Sequence, residues 1–570
     1  MSPASAVIDR ETGEADAGVF RIFRARMAPH RYIRYGAQVL FGLLLVCWPA
    51  LDTDPAGAVT PLRVALGGLL SVLSAVALLT AAFGRIPLRR HSTDWAVLAC
   101  ALWYAGCVAF VGQGRTDPYC LLSGLTLFAS YACCRLVGTA FLLPALSVSG
   151  LVQCGAVFSQ LAGTTASRHA YYPLTGSFPN PGPLGGWLCL GLLAAVLFAV
   201  RLWKTRRRSW AVLSAAAGVC IGGVLLLSDS RAAWLGFAAG VFCLVALSDF
   251  RYKRIVLAAL VGIGLAGTVW LYGYKKDSAD GRLLVWRVSA ELAAQKPVAG
   301  HGVGTFPERY MFAQADYFDR HPDSRFAAVA EQTSYPFNEW IGTVCEQGIV
   351  GGLLALVVVG TAFYRRGTAE QRDGRVLLTG TIVFGMFSYP SAFLVFGLLL
   401  GAALARCVND REEEGRFVSG RTAGAVGCAA LVGGACLLAV IYRTGKTDRS
   451  RYTLLREAWE TMRRGEETDL PRLERWAERL PVVDFYIDLG DLYLENGRTA
   501  AAVSCYARAS RMIPSRLRPY EGLWRACLRA GEMDSAAAVA RRIVSMPVKV
   551  DNTTTIRIRR QAEEWLKTYE

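Results

Sequence analysis

The sequence contains little of what most metal, nucleotide and hydrolase sites require. It has only five histidines, and they are scattered along 570 residues. Its 16 cysteines include no pair with CxxC spacing, and the adjacent Cys133 and Cys134 do not form a zinc pattern. No Walker-type phosphate loop and no G-x-S-x-G nucleophile turn occurs. We therefore expect no bound metal and no cofactor.

Charge is also scarce. Charged residues make up 19% of the chain and hydrophobic residues 53%, and the mean hydropathy is +0.32. The charges cluster between long apolar runs, which indicates lipid as the surrounding solvent. We predict an all-α, polytopic membrane protein with about 13 spans. The apolar runs occupy residues 35–51, 64–83, 94–112, 119–133, 138–162, 183–203, 209–227, 232–248, 255–273, 340–363, 376–390, 391–406 and 423–442.

The net formal charge of +17 comes largely from arginines in alternate short loops. This distribution follows the positive-inside rule, and it favours a membrane over nucleic acid as the partner. The rule places residues 1–33 in the cytoplasm and residues 34–442 in the membrane domain. It leaves the long loop 274–338 and the tail 443–570 outside. Because long loops between spans are usually functional, we expect the site on this outer side.

The tail 443–570 contains the pattern of a helical repeat. Residues 483–516 fit one tetratricopeptide unit of 34 residues, and a weaker copy follows. Two interpretations remain open for this tail: a cap that stabilises the membrane domain, or a concave surface for an acceptor or partner protein. The residues in repeat register are Tyr486, Leu489, Gly490, Tyr493, Ala502, Tyr506, Ala509 and Pro514.

Polar residues interrupt the apolar pattern at three outer places, and charges at membrane depth are functional candidates. Arg231 opens a span, either as an interfacial anchor or as a fork for phosphate. Arg282 and Arg287 lie on an amphipathic segment in the long loop. Asn338 and Glu339 begin the next span, where Asn338 also suits a helix N-cap. A glycine-rich stretch whose amides could hold an anion includes His301, Gly302 and Gly304.

These places, together with residues 175–181, resemble in order the motifs of the bacterial O-antigen ligase and polymerase family. TGSFPNP at 175–181 is similar to the family's GTFxNPN loop, and SRAAWLG at 230–236 to its SRGxWLG motif. Residues 282–306 are similar to its R…W…PxxGxGxGxF segment. Phe337 and the residues up to 351 match HNx9GxxG except at the first position. Four motifs in one order make the resemblance specific.

The resemblance implies a metal-independent GT-C glycosyltransferase, multi-pass in the bacterial inner membrane. Such enzymes transfer a glycan from undecaprenyl diphosphate, at the periplasmic face, to lipid A–core, another glycan or a protein. Arginines would stabilise the pyrophosphate leaving group. The predicted catalytic residues are Arg231, Arg282, Arg287, Asn338 and Glu339, and the predicted pyrophosphate or glycan contacts are Arg231, Arg287, Asn180, Gly302, Gly304 and His301.

Phe337 is the departure from the family. At this position of the motif the family has a histidine, which is thought to assist the acceptor hydroxyl. Glu339, His301 or His321 would then act as base, or leaving-group stabilisation alone would suffice, or activity is lost. Ligase, polysaccharide polymerase and protein O-oligosaccharyltransferase therefore stay open within one class. A lipid-linked glycan transporter and a non-catalytic scaffold are the alternatives outside it.

Overall fold

The computed structural model describes residues 29–52, 57–83, 91–112, 115–249, 251–274, 276–364, 367–409, 420–447, 450–548 and 552–569. Within these ranges the chain forms helices and no strands. Most of the predicted cytoplasmic segment 1–33 lies outside the described residues. The first fifteen helices, apart from two in the long loop, carry the apolar sequence. They are α1 (Pro29–Leu51), α2 (Pro61–Phe83), α3 (Ser92–Gly106), α4 (Pro118–Val137), α5 (Leu142–Leu161), α6 (Pro181–Lys204), α7 (Arg208–Leu227), α8 (Arg231–Ala246), α9 (Lys253–Tyr274), α12 (Glu339–Phe363), α13 (Ala369–Gly385), α14 (Leu394–Val408) and α15 (Gly420–Thr444).

Each predicted apolar run falls on one of these helices, because a run of about 20 apolar residues in lipid must satisfy its backbone internally. Within the described residues seven helices are long and apolar enough to cross a membrane, and four shorter apolar stretches accompany them. The all-α, polytopic class is therefore confirmed, whereas the count of about 13 spans stays a prediction. The seven are α1, α3 with its π-helical extension to Val111, α4, α5, α6, α7 and α12.

Helix α6 lies at the centre of the bundle, and most of its residues are buried. Two glycines let neighbouring helices approach its outer end closely. A Cβ on Gly185 would lie 2.3 Å from Ser230 Cβ, and one on Gly186 would lie 2.2 Å from the Phe384 ring. The N-terminus of α6 is therefore held against the start of α8 and the end of α13, where the candidate site lies.

Charged side chains at the predicted cytoplasmic end are paired. Arg135 Nε is 2.7 Å from an Asp94 carboxylate oxygen, and Tyr131 donates to the same carboxylate. Asp373 binds two arginines on different helices, Arg201 at 3.0 Å and Arg406 at 3.1 Å, and Arg406 is 0% exposed. Each of these contacts joins segments that the positive-inside rule assigns to one side.

The long loop is itself helical, and the tail packs on it. The loop contains α10 (Lys276–Gln295), α11 (Phe306–Arg320) and a 3-10 turn, Ala327–Val329. The tail contains α16 (Arg451–Arg464), the 3-10 turn Glu467–Asp469, α17 (Leu470–Ala477), α18 (Val483–Glu495), α19 (Thr499–Met512), α20 (Leu517–Ala530), α21 (Met533–Ser545) and α22 (Thr553–Tyr569).

Loop and tail share one hydrophobic core, which includes Leu284 and Tyr310 from the loop and Phe485 and Tyr506 from the tail. Polar contacts reinforce this packing. Gln314 Nε2 in α11 donates to the Met512 carbonyl at 2.6 Å. The loop and this part of the tail therefore form a single structural unit, at the end of the bundle that the positive-inside rule predicts to be the outer one.

The tail helices repeat in pairs. Helices α18 and α20 begin 34 residues apart, at Val483 and Leu517, and α19 and α21 begin 34 residues apart, at Thr499 and Met533. Gly490 and Gly522 both pack closely against the Tyr506 ring. The offset matches the tetratricopeptide period, and the assignment to that class stays a prediction.

Candidate active site

Arg231 and Arg282 come from different helices and lie near one another. Arg231 begins α8, and its Nη2 donates to Ser278 Oγ at the start of α10, at 2.9 Å. Burial and then the positive charge of Arg231 lower the pKa of Arg282 to about 10, whereas Tyr389 acts in the opposite direction. The structure therefore brings together the two arginines that the second and third motifs supply.

Arg282 is partly buried and has no counter-ion in the part of the chain that the structure describes. Among the described residues no carboxylate pairs with it and no hydrogen bond forms to its guanidinium. Its contact is with an aromatic ring, since Cζ lies 5.8 Å from the centroid of Phe337. A cation–π contact does not neutralise charge, so the site keeps a net attraction for an anion.

The N-terminus of α8 adds to this attraction. Ser230 occupies the N-cap position without a side-chain hydrogen bond to the helix amides, and its hydroxyl donates to the Gly182 carbonyl at 3.4 Å. Asp229 precedes it with φ at +50°, which turns the chain sharply between α7 and α8. The helix dipole favours negative charge at this point.

Asn180 connects the first motif to the same place. Its Oδ1 accepts from the Gly182 amide at 2.9 Å and caps α6. Because the Gly182 carbonyl also accepts a hydrogen bond from the Ser230 hydroxyl, residues 175–181 lie beside the start of α8. The structure gives Asn180 a capping role, and its predicted contact with substrate stays a prediction.

Phe337, at the position of the family histidine, lies in an aromatic cluster. Its φ of +50° is rare for a non-glycine residue and indicates backbone strain. Its ring meets Tyr389 edge-on at 5.4 Å, and Tyr389 stacks on Tyr335 at 4.4 Å with an interplanar angle of 7°. Trp286 Nε1 donates to the Pro336 carbonyl at 3.1 Å and fixes this turn to α10.

Asn338 and Glu339 both have structural partners. Asn338 Oδ1 accepts from the amides of Trp340 and Ile341, at 3.0 and 3.1 Å, so Asn338 is the N-cap of α12. Glu339 Oε1 accepts from the Ser391 amide at 2.9 Å, in the 3-10 turn Pro390–Ala392. The second contact joins α12 to the turn that carries Tyr389.

Arg287 points away from this cluster. Its Cζ lies 5.5 Å from the Tyr317 ring, and its Nε lies 3.8 Å from Glu291, which also pairs with Arg320 at 2.7 Å. His321 stacks on the same tyrosine at 4.6 Å. Of the two predicted partners of Arg231, the structure therefore places Arg282 at the site. It places Arg287 and the candidate base His321 on another face of the loop.

The glycine-rich stretch packs into a break in α12 at Gly348, whose φ is +68°. A Cβ on Gly348 would lie 2.0 Å from the Val298 carbonyl oxygen, and Gly302 donates to the Glu346 carbonyl at 2.9 Å. The Glu346 carboxylate accepts from the Phe306 amide at 3.1 Å and from Gly304. The amides predicted to hold a substrate anion are thus already used within the protein, Gly302 by the Glu346 carbonyl and Gly304 by the Glu346 carboxylate.

His301 belongs to the same packing. It is 4% exposed, and its Nε2 lies 2.9 Å from the Leu292 carbonyl oxygen. Burial lowers its pKa, so it is neutral near pH 7. The structure does not bring His301, Gly302 or Gly304 to the arginines, because their contacts are with α10 and α12. Within the described residues no group of three or more His, Cys, Asp or Glu is arranged to hold a metal ion.

A cavity of about 420 Å³ opens near the aromatic cluster. Phe393 forms part of its wall and lies 6.2 Å from the Tyr389 ring. The cavity combines apolar surface with charge, as an amphiphile would require. Its lining residues are Trp48, Pro49, Asp52, Arg63, Arg168, Ser177, Phe178, Pro179, Phe393 and Val395.

Sequence reasoning missed Tyr389. Tyr389 lies between the apolar runs 376–390 and 391–406, where the helix breaks after Gly385. The signal was the SYPS sequence at 388–391, which interrupts an otherwise continuous apolar stretch with polar residues and a proline. Tyr335, which stacks on Tyr389, lies two residues before Phe337.

The fold and site define a multi-pass helical membrane protein with an arginine pair at one end of its bundle. Residues 216–356 match the family model described as O-antigen ligase, and this region contains Arg231, Arg282, Asn338 and Gly348. The resemblance predicted from the motifs is therefore confirmed.

Two curated proteins are similar in sequence to this chain. The exopolysaccharide production protein ExoQ of Rhizobium meliloti is 26% identical over 252 residues, which cover 40% of this chain and 55% of that protein. The O-antigen ligase of Pseudomonas aeruginosa is 26% identical over 273 residues, which cover 47% of this chain and 60% of that protein. The chain thus spans less than two thirds of the length of both relatives.

Proposed function

We propose that the protein transfers a glycan from undecaprenyl diphosphate to an acceptor, as an O-antigen ligase-like enzyme. The observation that carries this proposal is Arg282, a guanidinium without a described anionic partner, close to Arg231. Two neighbouring positive charges repel one another, and an anion bound between them would offset that cost. The family resemblance makes a diphosphate the natural candidate for this anion.

In the proposed reaction an acceptor hydroxyl attacks the anomeric carbon of the donor sugar. The bond from that carbon to the diphosphate oxygen breaks, and negative charge grows on the leaving group. Arg231, Arg282 and the N-terminus of α8 are already held in place, so they stabilise this charge without reorganisation. The arginines supply the positive charge, and the proposed reaction is metal-independent.

The proton of the acceptor hydroxyl requires an acceptor, since Phe337 has none. Of the three candidate bases, Glu339 is the one that lies beside the aromatic cluster, through its hydrogen bond to Ser391. His301 and His321 are bound elsewhere. We therefore assign the general base to Glu339, with leaving-group stabilisation by arginine as the larger contribution.

We place the reaction at the periplasmic face of the bacterial inner membrane, with the loop 274–338 and the tail on that side. The basic loops support this orientation. Membrane lipid surrounds the apolar helices. The donor reaches the arginines from the outer leaflet.

The acceptor is lipid A–core, another glycan or a protein. A ligase is the first candidate, because one relative is named an O-antigen ligase. Polysaccharide polymerisation is the second, because another is named an exopolysaccharide production protein. The tail is the proposed surface for a protein partner, which would favour a protein O-oligosaccharyltransferase.

Transfer by the purified full-length protein in lipid nanodiscs tests the proposal, with undecaprenyl-diphosphate-linked glycan as donor and each acceptor class in turn. We expect Arg282→Ala to reduce transfer by roughly 100-fold or more, as for loss of one transition-state donor. Arg320→Ala is the matched control, since Arg320 is an exposed arginine of the same loop, and it should retain activity. Full transfer by Arg282→Ala would refute the assignment, and transport of donor without any transfer product would favour a transporter.

A further inference from the structure

Tyr389 is a residue of the candidate site to which no role has yet been given. It lies in the break between α13 and α14, and its ring is partly buried. Tyr335 covers one face at 4.4 Å, and Phe337 and Phe393 approach at 5.4 and 6.2 Å. Three rings therefore fix the orientation of this side chain, although it lies in a non-helical segment.

The hydroxyl of Tyr389 remains available. Among the described residues no group forms a hydrogen bond with it, whereas the neighbouring turn is anchored by the bond from Ser391 to Glu339. Tyr389 and Arg282 both contact Phe337, whose ring centroid lies 5.4 Å from that of Tyr389 and 5.8 Å from Arg282 Cζ. An O–H donor held by packed rings and a guanidinium without a described anionic partner thus border the same side chain.

Both groups donate hydrogen bonds, and neither has an acceptor among the described residues. Both side chains are partly buried and their donor atoms are not enclosed, so a ligand can reach them, and two donors at one ring favour a ligand that accepts from both. A phosphate oxygen fits, because it is anionic and accepts several hydrogen bonds at once. The rigid rings around Tyr389 would lower the entropy cost of this contact.

We propose that the Tyr389 hydroxyl donates a hydrogen bond to the diphosphate of the lipid-linked donor, beside the guanidinium of Arg282. This inference rests on the proposed function and adds a diphosphate-binding residue on α13–α14, outside the family motifs. Tyr389 stays protonated throughout and transfers no proton. It therefore compensates in part for Phe337, by binding the leaving group rather than by activating the acceptor.

Tyr335 provides a matched control. It is the other tyrosine of the stack, and its charged neighbours are Arg451, Arg63 and Asp117 rather than Arg231 or Arg282. Replacing either tyrosine by phenylalanine keeps the ring and removes only the hydroxyl. Tyr389→Phe therefore removes the hydroxyl near Arg282, and Tyr335→Phe removes the hydroxyl of the other stacked ring.

Binding of undecaprenyl diphosphate and of undecaprenyl phosphate to the full-length protein, without acceptor, tests the inference. We expect Tyr389→Phe to weaken diphosphate binding roughly 10-fold, as for a hydrogen bond to a charged group, and Tyr335→Phe to change it less than about 2-fold. Thermal unfolding of each variant verifies that the fold is retained. Arg282→Ala should weaken diphosphate binding more than either.

The outcomes separate the two proposals. Unchanged diphosphate affinity in Tyr389→Phe, with a loss in Arg282→Ala, would overturn the role of Tyr389 and keep the proposed function. A slower transfer by Tyr389→Phe at unchanged diphosphate affinity would also overturn it, because the hydroxyl would then act on the acceptor. Unchanged affinity and transfer in both variants would overturn the proposed function itself.

Discussion

Two arginines at opposite ends of the membrane bundle, Arg406 and Arg282, have different partners. At the predicted cytoplasmic end Arg406 is fully buried, and both it and Arg201 bind Asp373. At the outer end Arg282 is partly buried near Arg231 and has a ring rather than a carboxylate as its neighbour. Arg406 is thus neutralised by a carboxylate, whereas Arg282 keeps its charge.

This difference separates structural from functional charge. A buried ion pair is stable only as a pair, because removing one partner leaves an uncompensated charge. An arginine without a counter-ion lowers stability, and such a residue is retained where an incoming ligand needs it. Loss of Asp373 should therefore affect folding, and loss of Arg282 should affect activity.

The largest expected effect on stability is from Asp373→Asn. Arg406 is 0% exposed and would lose its carboxylate, which costs roughly 3–5 kcal/mol for a buried pair. Thermal unfolding in detergent should show a large fall in midpoint, with loss of expression. Glu291→Gln is the control, since it breaks an exposed pair with Arg320 and should change the midpoint little. Equal midpoints for both variants would show that the buried Asp373–Arg406 pair stabilises the fold no more than the exposed Glu291–Arg320 pair.

Asp117, at the predicted outer end, has backbone amides rather than an arginine side chain as its hydrogen-bond partners. Its Oδ1 accepts from the Tyr119 amide, and its Oδ2 accepts from the Arg451 amide of the tail. Burial raises its pKa to about 6, with Glu308 acting in the same direction, while the hydrogen bonds and the charge of Arg451 oppose the rise. The folded state therefore binds this proton more tightly than the unfolded state, and stability falls as pH rises from about 4 to about 6.

Asp117→Asn keeps an acceptor for the Tyr119 amide, loses the acceptor for the Arg451 amide and removes the ionisation. We expect the stability of the variant relative to the parent to rise by about 1–2 kcal/mol between pH 4 and pH 8. Unfolding midpoints across this pH range measure the difference. A gain that is the same at every pH would show that ionisation of Asp117 is not its cause.

The smallest expected effect is on the stability of Arg282→Met. The substitution removes an unpaired charge from a partly buried place and keeps an unbranched apolar side chain. We expect a slight gain, about 1 kcal/mol or less, together with loss of transfer. Arg287→Met, on the exposed face, should show no gain. A clear fall in the midpoint of Arg282→Met would mean that this arginine has a structural role like that of Arg406.

Much of this arrangement could be predicted from the sequence. Apolar runs of bilayer length specify helices, and Asn338 is the N-cap that its residue type suggests. The choice between Arg282 and Arg287 could not be made, because five positions along a helix place the two side chains on different faces, and only packing shows which faces the site. The amides of Gly302 and Gly304 were assigned to an external anion because nothing in the local sequence indicates that Glu346 approaches them.

Tyr389 and the packing of the tail on the loop were missed for a related reason. Both depend on contacts between residues far apart in sequence, such as Tyr335 with Tyr389 and Gln314 with Met512. Periodicity reports on one helix at a time, and it is silent about which helix covers which.

The core shared by loop and tail has a consequence for biosynthesis. Gln314 and Met512 are 198 positions apart, and the apolar side chains of α11 are buried only when α18 and α19 cover them. The loop is synthesised long before its cover, so its apolar surface stays exposed until the last membrane helix has been inserted and residues up to 512 have reached the same side. Completion of the outer face is thus coupled to delivery of the C-terminal segment, and a chain interrupted before that point would present an unfinished, aggregation-prone loop to cellular quality control.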